Sequence, residues 1–278
     1  MYCNESVAAP LHALQEYDRA RNRPVMHSFI FQPRKWDMPL QQFYEYVREY
    51  TKRNLSFDSD ALNAFYGIAQ YLERTAGLHN IWGIPYFAKS FQADFTRSLC
   101  WQNTDPGSDI RRTEFPSWSW QGWRRAIEFG IWSDEMWIPD LRVRIKSQVS
   151  EPVGEDEEGR TIVVTGHMLN PDRFSVSSNG ELDIGVGDMI DWKFAYDSLD
   201  RTDLLAHMRD GRAQCLLIGV GGHPPSDWQT AWFMAIIQEG ETASRIGVAI
   251  VRGHNLERKV EELKSKDALL QTANLALV

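Results

Sequence analysis

The order of hydrophobic repeats in this chain predicts an α+β fold. A helical layer comes first, then a mostly antiparallel, barrel- or sandwich-like sheet, and a C-terminal helix closes the chain. Three observations carry the prediction. Between residues 38 and 128, apolar side chains recur three and four positions apart, the repeat of a helix with one buried face. From 129 to 252 the repeat shortens to two, or becomes a short apolar run bounded by Gly, Pro, Asn or Asp. These runs follow one another without helices of crossover length, which favours antiparallel neighbours.

Residues 1–37 read as an N-terminal extension without a strong pattern. Asp37 ahead of Pro39 marks a helix start, and Phe43, Val47 and Tyr50 then share one face. Asp58 or Ser59 caps a second helix with the stripe Leu62, Phe65, Ile68, Ala69 and Leu72, and Gly77 stops it. A third helix is expected from Phe87, Phe91, Phe95 and Leu99, which repeat every fourth residue. Strands are expected at 141–146, where Leu141, Val143 and Ile145 alternate with basic residues, and at 161–165, 189–194, 213–218, 231–237 and 246–251. Residues 253–278 are expected to hold the final helix, from about Leu256 to Leu270.

The chain has 278 residues, 43% of them hydrophobic and 24% charged, which excludes collagenous, coiled-coil and mainly disordered classes. Its net charge of −8 opposes non-specific binding to nucleic acid or to an anionic membrane. Charge is also uneven, about +1 over residues 1–150 and −9 over 151–278. The join at 151–159, with Glu155, Asp156, Glu157 and Glu158 in a row beside Pro152, Gly154 and Gly159, reads as an exposed loop. No apolar run reaches the ~18 residues a membrane-spanning helix needs, and the first residues lack the pattern of a secretory signal. Cys3, Cys100 and Cys215 are odd in number and far apart, as expected of reduced thiols in a cytoplasmic protein.

The densest chemical feature is the run from Phe115 to Trp123, with Pro116, Ser117, Trp118, Ser119, Trp120 and Gly122 inside it. Arg111 and Arg112 precede it, and Arg124 and Arg125 follow. Trp118, Trp120 and Trp123, with Arg112 and Arg124 nearby, admit two readings. They could stack on a sugar or other small ligand, or they could wedge the helical layer against the sheet. Packing is the expected one. Seven scattered histidines show no metal-ligand spacing, so no metal is expected. Gly219 to His223, followed by two prolines, completes no phosphate-loop pattern and reads as a surface turn. Glu181, Asp183, Asp188 and Asp191 could supply a glycosidase-like acid and base, but spacing alone does not place them at a catalytic separation. Cys100 is expected to be a small buried hydrophobe. No catalytic constellation stands on its own, and no cofactor is expected.

Several segments in order resemble one family. They are Tyr50 to Leu55, Ser59 to Ile68 with Asp60, Asn63, Phe65 and Gly67, Trp82 to Pro85, Leu99 to Trp101, Phe115 to Trp123 with Pro116, Ser117 and Gly122, and Arg245 to Val248. This series is similar to the region downstream of the HET domain in fungal heterokaryon-incompatibility proteins. The likeness covers roughly 40–125, with a weaker match to about 252. The string that marks the HET domain itself is missing, so no catalytic residue is carried over. The resemblance implies a non-catalytic regulatory or interaction module in an intracellular fungal setting of non-self recognition and regulated cell death. It implies a protein partner, with a HET domain in cis or in trans as the candidate. The chain then corresponds to the accessory half alone, as a truncated gene product or a stand-alone protein. The rival reading is a carbohydrate- or small-ligand-binding protein, or a glycosidase-like enzyme, built on the three indoles.

Overall fold

Pro39 opens the first helix, where its fixed φ suits the first turn and its missing N–H costs nothing. The computed structural model describes residues 38–53, 60–104, 111–130, 140–146, 160–169, 212–222, 228–266 and 269–278, with the short pieces 175–176, 182–183 and 191–196 and the single positions 207 and 210. The extension at 1–37, the caps Asp37, Asp58 and Ser59, and the acidic loop at 151–159 lie outside these residues. Helix α1 (Pro39–Thr51) buries Leu40, Phe43, Tyr44, Val47 and Tyr50, the face its repeat marks. Helix α2 (Asp60–Ala76) buries Phe65, Ala69 and Leu72. It ends where Gly77, at φ +67°, donates its N–H to Glu73 O at 2.9 Å.

The region expected to be helical up to 128 also holds a small hairpin and a second two-stranded antiparallel pair. Strands β1 (Leu78–Ile81) and β2 (Ile84–Phe87) pair antiparallel around Trp82 and Gly83, at φ +49° and +75°. Positive φ at both loop residues is the signature of the tight turn whose twist suits a hairpin. Phe87 therefore ends a strand instead of starting the third helix, which is α3 (Phe91–Ser98) after a short tighter turn at Ala88–Ser90. Asp94 fixes that start by accepting from Phe87 N at 3.1 Å and from Ser90 Oγ. Strands β3 (Trp101–Asn103) and β4 (Ile127–Phe129) form the second antiparallel pair, bracketing the tryptophan-rich run.

The rest of the chain is mostly sheet, and the fold is α+β. Its strands are β5 (Arg142–Ile145), β6 (Ile162–Leu169), the small pair β7 (Ser175–Val176) and β8 (Leu182–Asp183), β9 (Asp191–Tyr196), β10 (Ala213–Gly222), β11 (Trp228–Glu239), β12 (Thr242–His254) and β13 (Leu269–Leu277). Helix α4 (Leu256–Ser265) lies between the last two. The main sheet has seven strands, in the order β10-β11-β12-β13-β6-β5 with β9 also on β12. Its pairings are antiparallel except that of β12 with β13.

Two corners of this sheet are thin. β12 meets β13 over Thr242 with Ala276 and Ala243 with Leu277, and β10 meets β6 only at Leu216 with Met168. The long ladders lie on either side: β9, β12, β11 and β10 in one half, and β13, β6 and β5 in the other. A sandwich-like description fits this better than a continuous barrel.

Burial explains why β10, β11 and β12 read as unbroken apolar runs: both of their faces are covered. On one face Leu216, Ile218, Trp232, Met234, Ile236, Val248 and Ile250 share a core with Val143, Ile162, Val164, Leu275, Leu277 and the helical layer. On the other, Cys215, Leu217, Phe233, Ala249 and Val251 pack with Leu256, Val260 and Leu263 of α4.

Two expectations are corrected here. Gly219 to Gly222 is not a surface turn but the end of β10, paired with Trp232 to Gln229 after an irregularity at Leu217/Gly219; residues 223–227 lie outside the described ones. The final helix stops at Ser265, and residues 269–277 form β13. In that stretch the slot between β6 and β12 offers main-chain partners and burial for Leu275 and Leu277, which outweighs a weak helical pattern. Among the described residues no helix is long and apolar enough to cross a membrane.

Candidate functional site

The tryptophan-rich run sits where the helical layer meets the sheet, and it is enclosed. Trp118, Trp120 and Trp123 are 0%, 1% and 2% exposed, as is Trp101 beside them at 0%. An indole has one donor, which usually finds a partner when buried. Each of the four does so on a main-chain carbonyl. Trp101 Nε1 donates to Trp118 O at 3.1 Å, Trp118 Nε1 to Arg160 O at 3.1 Å, Trp120 Nε1 to Gly83 O at 2.7 Å and Trp123 Nε1 to Ser117 O at 3.1 Å.

Local turns make this spacing work. Ser119 accepts from Gln121 N at 3.0 Å and caps the short turn Trp120–Gly122, while its hydroxyl donates to Trp82 O at 2.6 Å. Both carbonyls of the Trp82-Gly83 loop are thus held, one by Ser119 and the other by Trp120. The Trp120 ring meets Phe65 edge-on at 5.3 Å and Tyr50 at 6.3 Å, which ties the run to α2 and α1. Gly122 leaves no room for a side chain, since a Cβ there would lie 2.8 Å from Pro116 O and closer still to the Arg111 guanidinium.

Three arginines complete the junction. Arg112, 8% exposed, donates from Nη1 to Gln121 O at 3.1 Å and Trp123 O at 2.6 Å. Burial lowers its pKa, with Tyr50 and Glu114 acting in the opposite sense. Arg111 donates to Gly122 O at 3.1 Å and lies 5.2 Å from the Trp123 ring centre. Arg245, 1% exposed in β12, places its guanidinium carbon 3.4 Å from the Trp101 ring centre and donates to Leu99 O at 2.8 Å and Trp101 O at 2.5 Å. A buried guanidinium over an indole is a strong cation–π arrangement.

Ser117 is the hub. Its N–H donates to Val278 O at 3.0 Å, its hydroxyl donates to the same oxygen, and its Oγ accepts from Arg245 N at 2.9 Å. Residues 117, 245 and 278, remote in sequence, are held through one side chain.

The residues singled out by sequence divide clearly. Trp118, Trp120, Trp123 and Arg112 are buried structural members, and a ring 0–2% exposed offers no face to a sugar, which counts against the stacking-platform reading. Arg124 is exposed beside the junction. Phe65, Pro116, Ser117 and Gly122 carry packing or hydrogen bonds as described. Asp60 and Asn63 lie in α2, but their side chains are outside the described residues. Gly67 is exposed, and a Cβ there would touch nothing within 4 Å, so packing gives no reason for a glycine. Of the acids, Asp183 falls in β8 and Asp191 in β9, while Glu181 and Asp188 lie outside the described residues. Among the described residues no group of three or more His, Cys, Asp or Glu could hold a metal ion. Cys100, just after α3, is buried as expected, and burial pushes its thiol pKa up.

Arg245 stands in the resembling segment Arg245 to Val248 with no role assigned to it there, and Gln92, which bonds the main chain of Val143, was not singled out. A lone arginine opening an apolar strand was the available signal for the first; nothing in the pattern marked the second. Among the described residues, the large apolar side chains that remain exposed are Tyr66 at 55%, Tyr71 at 49% and Trp228 at 44%. No family model matches this chain, and no curated protein and no solved structure matches it either.

Proposed function

We propose that this chain is a non-catalytic regulatory and interaction module of the kind found downstream of the HET domain in fungal heterokaryon-incompatibility proteins. One observation carries the reading. The most specific motif of the resemblance, Pro116 to Trp123, directs the donors of Trp118, Trp120 and Ser117 to main-chain groups of other segments and that of Trp123 back to Ser117 O, so its residue types serve assembly of the fold. Such a motif is expected in a scaffold that presents a surface. Tyr66 and Tyr71 on α2 supply exposed aromatic contact area of the kind enriched where proteins meet. The partner is a protein, a HET domain in cis or in trans, in a cytoplasmic fungal setting.

The test is binding of a separately produced HET domain to the purified chain by calorimetry. Binding that weakens by about tenfold or more in the double variant Tyr66→Ala/Tyr71→Ala, with the fold intact by circular dichroism, supports the reading. Absence of binding, together with turnover or specific retention of any sugar in a glycan panel, would overturn it in favour of the ligand-binding alternative.

A further inference from the structure

Strand β5 carries its cations in a row. Arg142, Arg144 and Lys146 alternate with Leu141, Val143 and Ile145, so the core takes the apolar set while the three cations stand exposed on the outward face of the sheet. Neighbours in the row are two strand residues apart, about 6.6 Å. Their cross-strand partners on β6 are Thr165 for Arg142, Val163 for Arg144, and Thr161, whose carbonyl accepts from Lys146 N at 3.0 Å. These half-buried side chains form a smooth strip beside the row, and Ala276 of β13 continues it opposite Val163.

The sheet does not neutralise this row. Opposite charges facing each other across a ladder stabilise it, yet every position opposite the cations holds Thr or Val. Residues 141–146, 160–169 and 269–278 contain no Asp or Glu, in a chain with 38 acids and a net charge of −8. Asp140, just ahead of β5, is engaged elsewhere: its Oδ2 lies 3.3 Å from Lys264 Nζ and 3.5 Å from His167 Nε2. Charges on an edge strand commonly guard it against pairing with another chain. Here Gln92 of α3 already fills that role at Val143, donating to its O at 2.6 Å and accepting from its N at 2.8 Å. The cations project from the face, so edge protection does not account for them.

We propose that the outward face of β5 and β6 is a docking surface for an acidic segment of a protein partner, bound extended so that its alternate side chains meet Arg142, Arg144 and Lys146. An extended chain shows the same face at every second residue, which matches the interval of the row, and its acidic stems lie along Thr161, Val163 and Thr165. Nucleic acid fits less well. Single-strand binders set aromatic rings among their cations, and these three stretches hold no Phe, Tyr or Trp. The surface involves neither Tyr66 nor Tyr71 of α2, and the inference does not rest on the HET reading.

The test titrates the full chain into a dye-labelled synthetic peptide of alternating Glu and Thr at low salt, followed by fluorescence anisotropy. Expected is saturable binding that fades as salt is raised and weakens about tenfold in Arg142→Gln/Lys146→Gln, with circular dichroism unchanged. A peptide of the same composition with its Glu residues in one block is expected to bind several-fold more weakly, because it does not match the interval. Lys52→Gln/Arg53→Gln, which removes two exposed cations just after α1, is expected to leave binding intact. Absence of binding overturns the proposal, as does an equal loss in both double variants, equal binding of the blocked peptide, or tighter binding of an oligothymidylate than of the alternating peptide.

Discussion

Trp120 and Gly83 are fitted to each other: the indole nitrogen donates to Gly83 O at 2.7 Å, and a Cβ on Gly83 would stand 2.7 Å from that same nitrogen. The hydrogen bond and the absence of a side chain are one requirement. Gly83 also has φ +75°, which side chains disfavour. Gly83→Ala is therefore expected to lower unfolding free energy by about 2–4 kcal/mol, through overpacking added to backbone strain. Gly77→Ala is the control. It shares a positive φ, +67°, but nothing lies within 4 Å of its Cβ, so a loss of only about 1 kcal/mol is expected. Urea titration of both variants checks the difference, and equal losses would contradict the packing argument.

Arg245 ties β12 to the segment around α3 and β3. Its guanidinium donates to Leu99 O and Trp101 O while lying over the Trp101 ring. Arg245→Met keeps much of the volume but leaves buried carbonyls without donors, and a loss of about 2–4 kcal/mol is expected. Arg245→Lys is expected to recover only part of it, because an ammonium cannot bridge both carbonyls from one planar group. Urea midpoints that leave the lysine variant equal to the unaltered chain would refute this account.

Gln92 acts as a strand partner made of side chain. Its Nε2 donates to Val143 O at 2.6 Å and its Oε1 accepts from Val143 N at 2.8 Å, so the edge strand β5 has its outward main-chain groups occupied at that residue. Open edges recruit other chains. Gln92→Leu should cost about 1–2 kcal/mol and increase aggregation on heating, followed by light scattering. Gln92→Glu keeps the acceptor and loses the donor, and is expected to fall between the two.

Alkaline pH should weaken the fold through groups held neutral by burial. Burial pushes the Cys215 thiol up to about 12 from an ordinary 9.0, and raises Cys100 and the Tyr44 hydroxyl as well. Each group holds its proton more tightly folded than unfolded. The stability this lends is complete below the unfolded values and is lost as pH climbs towards the folded ones, so stability should fall from about pH 9 upward. The expected slope is about 1.4 kcal/mol per pH unit for each group that ionises only on unfolding. Denaturant midpoints between neutral pH and pH 11 measure it. A flat profile there, or native-state alkylation of Cys100 and Cys215 as fast as in the unfolded chain, would show that the thiols are not shielded.

Much of the architecture was legible because a repeat reports which side of an element is buried. Phe43, Val47 and Tyr50 marked the inner face of α1, Gly77 marked the end of α2, and alternation through Leu141, Val143 and Ile145 marked β5. The Trp82-Gly83 hairpin was hidden, because a tryptophan at positive φ is not a residue that advertises a turn. β13 was hidden for a different reason. Leu275 and Leu277 suit a strand only when β6 and β12 stand on either side of them.

The amino-acid order by itself determined the α+β class, the faces of the helices, most strand positions and the segment in which indoles would crowd. Tertiary structure alone decided that those indoles are enclosed, that Ser117 joins Arg245 to Val278, and that the final strand enters the sheet. The physical reason is range. Periodicity and turn chemistry act over a few residues, whereas the carbonyls that receive the indole and guanidinium donors come from turns and strands up to 146 positions away.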